Sequence, residues 1–246
     1  RGLKVGVATY SFRKQPLDEC IKGIQRVDLH YCSIKDFHLP INSTKEQRQE
    51  VSKKFRDAGI TPLSCGNITL KNDEAKCRQA FEYVRDVGAP TMVCAPDPDA
   101  LPLLDKLVKE YDLKLAIHNH GPESPHFKSP MDVWPAIQQF DSRIGLCIDV
   151  GHTARAGTDP AHAMLTCKTR LYDCHFKDVS DLHGKSSKVE VEVGRGVLDV
   201  RSMLRALLEI GFAGHVGFEF EKNPENPLPG LAESVGYTKG VLRDLN

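Results

Sequence analysis

The segment KLAIHNHG, residues 114–121, is an apolar run that stops on two histidines flanking an asparagine. In a strand, side chains alternate between two faces, so His118 shares its face with Ala116 while Leu115 and Ile117 take the other. A lone histidine at a strand end is more often a hydrogen-bonded surface or core residue than a ligand. Its meaning therefore depends on whether other strands end the same way.

They do. In IGLCIDV (144–150), Asp149 falls with Gly145 and Cys147, leaving Leu146, Ile148 and Val150 opposite. In LYDCHFK (171–177), His175 and Lys177 share a face against Tyr172, Cys174 and Phe176. In HVGFEFE (215–221), Glu219 and Glu221 oppose Val216, Phe218 and Phe220. Each run sorts bulky apolar side chains to one side and ionisable ones to the other, at its C-terminal end.

Further strand-like runs lie at LKVGVAT (3–9), YCSIK (31–35), TPLSCG (61–66) and PTMVCA (90–95), with LKLAIHN (113–119) the fifth of the series. Helical patterns separate them, among them PLDECIKGIQRV, the segment from Ser43 to Ala58, DEAKCRQAFEYVRDV and DVRSMLRALLEIG. The last stops at Gly211, a natural helix end, and STKE opens the second with an N-cap and an early acid. Eight strands alternating with helices, about 30 residues per unit, predict a single-domain (β/α)8 TIM barrel over residues 1–246. A doubly wound open sheet is the alternative. It usually carries a Gly-rich loop after the first strand, whereas ATYSFRK (8–14) has no glycine.

The chain of 246 residues is 40% apolar, enough for one full core, and its 33 basic and 33 acidic residues balance. That balance argues against nucleic acid or an anionic membrane as an electrostatically held partner. No run approaches the roughly 20 apolar residues of a membrane helix. Eight cysteines are scattered through apolar runs with no CxxC pair. They read as small buried hydrophobes, a disulfide being the lesser alternative, and favour a reducing, cytoplasmic compartment. The start at Arg1 leaves open a periplasmic location after signal removal.

In a (β/α)8 barrel the mouth at the strand C-termini is where active sites form. Ionisable groups converging there from four consecutive strands would be costly without compensation, so a bound cation is the economical reading. His118, Asp149, His175 and Glu219 are the expected ligands. Their mixed nitrogen and oxygen donors suit a divalent metal (Mn, Zn, Co, Fe or Mg) better than Ca. Lys177 is expected to bind an oxyanion or hydroxyl, with a solvated rim lysine as the plain reading. Glu219 and Glu221 are the acid/base candidates, Glu221 being alternatively an outer hydrogen-bond acceptor. His152 and Arg155, in DVGHTARAG, are placed above the metal as substrate contacts. His120, and Lys35 and His38 on the opposite wall, join them, with Asn67 a weaker candidate. Trp134 reads as packing. The glycines of GRG, Gly194 and Gly196, could offer backbone N–H groups to an anion, though a tight turn is the simpler account.

The motifs CIDVGH, HFKD, VEVGRGVLDV and AGHVGFEFE, in this order and spacing, resemble the xylose-isomerase-like TIM-barrel family of sugar isomerases and epimerases. The resemblance spans essentially the whole chain and is strongest from the fifth strand onward. Within the family, IHNHG…IDVGHTARAG…HFKDV is similar to a group of sugar phosphate isomerases/epimerases, without a phosphate-specific signature. It implies that Asp149, His175 and Glu219 bind metal and that His152 binds substrate. Many relatives close the fifth strand with a glutamate that both ligates and moves a proton; His118 stands there instead. Either His118 takes the ligand role and another group is the base, or the reaction differs.

The leading expectation is thus a metal-dependent isomerase or epimerase of a sugar or keto-sugar acting through an enediolate. The alternative is a lyase or dehydratase acting on 3-keto sugars or 3-keto-glycosides. An apurinic endonuclease branch requires further ligands where the third and fourth strands end in GN and AP, and a non-catalytic sugar-binding barrel is the remaining class. The expected partner is a small-molecule carbohydrate, with a homo-oligomer open.

Overall fold

A computed structural model describes residues 2–245; Arg1 and Asn246, the ends of the expected domain, lie outside the described residues. The strands are β1 (Lys4–Ala8), β2 (Tyr31–Ile34), β3 (Thr61–Leu70), β4 (Thr91–Pro96), β5 (Lys114–His118), β6 (Ile144–Asp149), β7 (Leu171–Phe176), β8 (Asp178–Val179), β9 (Glu190–Val191) and β10 (His215–Phe218). Eight of them close a parallel barrel in the order β1-β10-β7-β6-β5-β4-β3-β2, and β8 and β9 form a separate two-stranded antiparallel ribbon beyond β7. The expected TIM barrel is the observed fold.

Helices α1 (Leu17–Arg26), α2 (Lys45–Asp57), α3 (Glu74–Val87), α4 (Leu101–Tyr111) and α5 (Pro130–Ile137) fill the first half of the outer ring. The second half comprises α6 (Val150–Arg155), α7 (Pro160–Thr166), the one-turn α8 (Ser186–Val189), α9 (Val200–Glu209) and α10 (Leu228–Leu245). Local chemistry sets their ends. Thr44 caps α2 in a reciprocal capping box with Gln47, as STKE suggested. Gly211, with φ +62°, takes the left-handed turn after α9. Trp134 is half-buried against the outer core, the packing role expected of it.

The main core lies between barrel and helices and contains Leu115, Ile117, Leu146, Ile148, Cys174, Phe176, Val216 and Phe218. Val93, Ala116 and Cys147 form the smaller interior cluster. The alternation read from sequence is therefore the alternation seen, with one correction. Tyr172, expected outward with Cys174 and Phe176, packs against the interior cluster. The register shifts there between Leu146 and Cys147, and Gly145 vacates the space, since a Cβ on it would stand 2.4 Å from the Tyr172 ring. Two strand boundaries differ by more than two residues as well. β3 runs on to Leu70 past the expected Gly66, and β10 stops at Phe218, leaving Glu219 and Glu221 on the segment beyond it. All eight cysteines are free and buried. Among the described residues no helix is long and apolar enough to cross a membrane.

Candidate active site

β5, β6, β7 and the segment after β10 carry His118, Asp149, His175 and Glu219 to one point, where one ligand atom from each lies within 4.8 Å of the others. His118 Nε2 is 2.8 Å from His175 Nδ1 and 3.4 Å from Asp149 Oδ2, and His175 Nδ1 is 3.2 Å from Glu219 Oε1. Asp149 serves two purposes. It is the N-cap of α6, its Oδ1 accepting from the His152 N–H at 2.8 Å. Its Oδ2 turns into the cluster, buried, where the Lys177 ammonium faces it at 3.0 Å. Asn119 braces this arrangement by accepting from the Asp149 N–H at 3.0 Å and donating to Thr153 Oγ1 at 3.1 Å.

Carboxylates stripped of water are costly unless cations face them, and two imidazole nitrogens facing each other cannot both carry protons. Electrostatics divides the pair. Burial, then His175 and His120, push the His118 pKa down to about 3. His175 is raised: burial opposes its charge, but Glu219, Asp173 and Asp149 outweigh it. Burial alone would raise the Asp149 and Glu219 carboxyls, yet both are held below the usual range, Asp149 by His152, Lys177 and His118, Glu219 by His175 and Lys177. This buried group of two imidazoles and two ionised carboxylates is consistent with a metal site.

Lys177 sits beneath the mouth. Its Nζ lies 3.0 Å from Asp149 Oδ2, 2.7 Å from Glu219 Oε2 and 2.8 Å from Glu221 Oε1. Expected to reach for a ligand oxygen, it is committed to the protein's own carboxylates. Burial disfavours its charge, but Asp149, Glu219 and Glu221 raise its pKa well above the ordinary value.

Above the cluster opens a cavity of about 730 Å³, whose lining includes His118, His120, His152, Glu219 and Glu221. Tyr10, Lys35, Asn67 and Pro96 form its opposite wall. His120 Nε2 is 2.9 Å from Asn67 Nδ2, and Lys35 Nζ donates to the Asn67 carbonyl. His38, placed on this wall by the sequence, is buried behind it with Nε2 3.1 Å from the Gln15 carbonyl. Arg155 lies behind His152, its NH1 3.2 Å from His152 Nδ1 and its Nε donating to the Gly184 carbonyl at 2.8 Å.

Two carboxylates escaped the sequence reading. Glu190 accepts from the Glu221 N–H at 2.6 Å through Oε1, while its Oε2 is buried and unbonded. Burial, with Lys177 opposing and Glu221 adding, pushes its pKa up to about 8. Asp178 accepts from the N–H groups of Gly194 and Gly196 at 2.9 and 3.0 Å. The anion that the GRG glycines could address is therefore the chain's own, and a Cβ on Gly196 would stand 2.0 Å from Asp178 Oδ1. The signal for both was the alternation in HFKD and VEVEVGRG, which lacked meaning until the β8–β9 ribbon brought the segments together.

Fold and site define a class: closed α/β barrels that gather imidazoles and carboxylates at the C-terminal mouth. Within it, this chain belongs to the Xylose isomerase-like TIM barrel family, whose model matches residues 27–241. The family is sugar-active, and proteins similar to this chain include epimerases and dehydratases. The chain is 26% identical over 147 residues to the rhizopine catabolism protein MocC of Rhizobium meliloti, the match covering 54% of this chain and 45% of that protein. It is 24% identical over 134 residues to an inosose dehydratase of Lacticaseibacillus casei, covering 49% of this chain and 45% of the relative. The matches thus span about half the length of these curated relatives. The 3-keto-D-glucoside 4-epimerase YcjR from E. coli superposes with a TM-score of 0.77 at 14% identity, over 97% of this chain and 99% of that one, a likeness of fold.

Proposed function

We propose that the chain is a divalent-metal-dependent isomerase or epimerase that moves a carbon-bound proton on a sugar or keto-sugar. The observation that carries this reading is the buried four-donor cluster, one ligand atom from each residue within 4.8 Å of the others, set beneath a cavity on which a further carboxylate, Glu221, opens. His118, Asp149, His175 and Glu219 would hold the ion. When bound, such an ion supplies Lewis acidity toward adjacent carbonyl and hydroxyl oxygens.

The chain's own residues do the remaining work. Glu219 is tied, one oxygen facing His175 and the other Lys177. Glu221 is therefore the base that takes the proton from the substrate carbon: Lys177 orients its carboxylate and Glu190 anchors its backbone N–H. Proton removal beside a carbonyl leaves an enediolate. His120 and His152, three and two strands away around the mouth, stand where a proton can return to another position. Lys35 and His152 bind substrate oxygens from the cavity walls.

A second reading, dehydration of a keto-sugar, is favoured by the likeness to an inosose dehydratase and by His118 at the end of the fifth strand. There the same proton removal is followed by loss of a β-hydroxyl, to which His120 or His152 gives a proton. Incubation of the Mn- or Zn-loaded protein with free ketoses and keto-glycosides in deuterium oxide tests both. Solvent deuterium at a substrate carbon with retained hydroxyls supports isomerisation or epimerisation, and an enone absorbance supports elimination. Neither, across the panel, removes the reading.

A further inference from the structure

We propose that Arg155 locks His152 as the Nε2–H tautomer, so that this ring offers the cavity a hydrogen-bond donor aimed at a substrate oxygen. Glu123, from the loop after β5, holds Arg155 to that task. The argument begins with donor chemistry. A guanidinium has five N–H donors and no acceptor. Arg155 NH1 lies 3.2 Å from His152 Nδ1, so Nδ1 is the accepting nitrogen and the ring's proton sits on Nε2. The two residues are three apart on α6, a spacing that stacks them on one helix face.

The rest of the guanidinium is fastened from two other segments. Its NH2 donates to Glu123 Oε1 and its Nε to the Gly184 carbonyl at 2.8 Å, leaving the Arg155 side chain 1% exposed. Gly121 shows how closely the loop is fitted. Its φ is +79°, and a Cβ there would lie 3.0 Å from His152 Nδ1 and 3.2 Å from Arg155 NH1. A side chain at 121 would press on the contact that sets the tautomer. Since His152 lines the cavity and Nδ1 is engaged, the nitrogen left for a ligand is Nε2.

His152 is then a donor to lone pairs, the ring a carbonyl or oxyanion requires. Arg155 acts through it without touching substrate. Only the identity of that oxygen rests on the sugar reading above; the tautomer does not.

Long-range proton–nitrogen correlation spectra of the full chain labelled with 15N-histidine test this, the His152 signals being assigned by their loss in His152→Gln. The wild-type protein should show the Nε2–H pattern, Arg155→Lys should keep it, and Arg155→Met should shift the ring toward the other tautomer. A wild-type ring protonated at Nδ1 overturns the proposal, as does an unchanged pattern in folded Arg155→Met. The wild-type spectrum decides the tautomer even where Arg155→Met fails to fold. With a ketose that turns over, Arg155→Met should raise KM roughly tenfold, the size of one net hydrogen bond, with a smaller change in kcat. No deuterium exchange with any ketose, alongside an Nε2–H ring, sinks the sugar reading and leaves the tautomer lock standing.

Discussion

The two arcs of the barrel rim differ in kind. From β5 through β6 and β7 to β10, each strand or its extension delivers an ionisable side chain: His118, Asp149, His175, Glu219. From β1 through β4 the strands end at Ala8, Ile34, Leu70 and Pro96, and the wall is made by Tyr10, Lys35, Asn67 and Pro96. One arc concentrates charge and the other supplies surface. A ligand in the cavity is therefore gripped from one side and fitted from the other, and substitutions on the two arcs should fail differently.

The largest effect belongs to the charged arc. Asp149→Ala removes both a cluster oxygen and the cap of α6. Metal affinity by titration calorimetry should fall by more than about 100-fold, beyond what losing an outer hydrogen-bond partner costs. Retained affinity would break the contrast outright. Glu221→Gln should keep metal binding while proton exchange at the substrate carbon falls by roughly 10²–10⁴-fold, read by deuterium incorporation.

A smaller effect concerns Glu190 in the metal-free protein. Its pKa is raised to about 8 on folding, so from the ordinary carboxylate range near 4.5 up to about 8 the folded state holds a proton that the unfolded state has lost. Stability should therefore decline as pH rises through that window. Glu190→Gln, which keeps the oxygen acceptor for the Glu221 N–H, should flatten the decline in denaturant titrations at pH 5 and pH 8. Equal slopes for the two proteins would count against a protonated Glu190. The smallest effect lies on the fitting arc. Lys35→Met should raise KM by about tenfold or less, with kcat little changed, the signature of uniform binding. A large fall in kcat would erase the distinction between the arcs.

Much of this was legible in residues 113–221. Alternation separated Ala116, Cys147 and His118 from Leu115, Leu146 and Ile117, because side-chain direction in a strand is a local property of the backbone. Tyr172 broke the pattern because a register shift depends on the neighbouring strand, where Gly145 leaves room. Lys177 was assigned the correct face and a different partner. Whether an ammonium meets solvent, ligand or carboxylate is decided by which strands flank it, and here they bring Asp149 and Glu221 within 3.0 Å. Arg155 was expected beside His152 above the metal as a substrate contact, whereas its guanidinium is engaged by His152, Glu123 and the Gly184 carbonyl behind the cavity wall. Glu190 carried a signal, the alternation in VEVEVGRG, that gained meaning when a ribbon of two residues per strand set it against the Glu221 N–H.

By itself, then, the chain's order of residues determined the barrel, the inner and outer faces of its strands and the four side chains that crowd the mouth. These follow from periodicities of two and 3.6 residues, which neighbouring atoms impose. The tertiary structure alone decided the contacts: the 2.8 Å approach of His118 and His175, the capture of Lys177 by three carboxylates, and the bracing of His152 by Arg155. Those distances join residues that may be neighbours on a helix or 57 positions apart, and they exist only once the sheet has closed on itself and set its stagger.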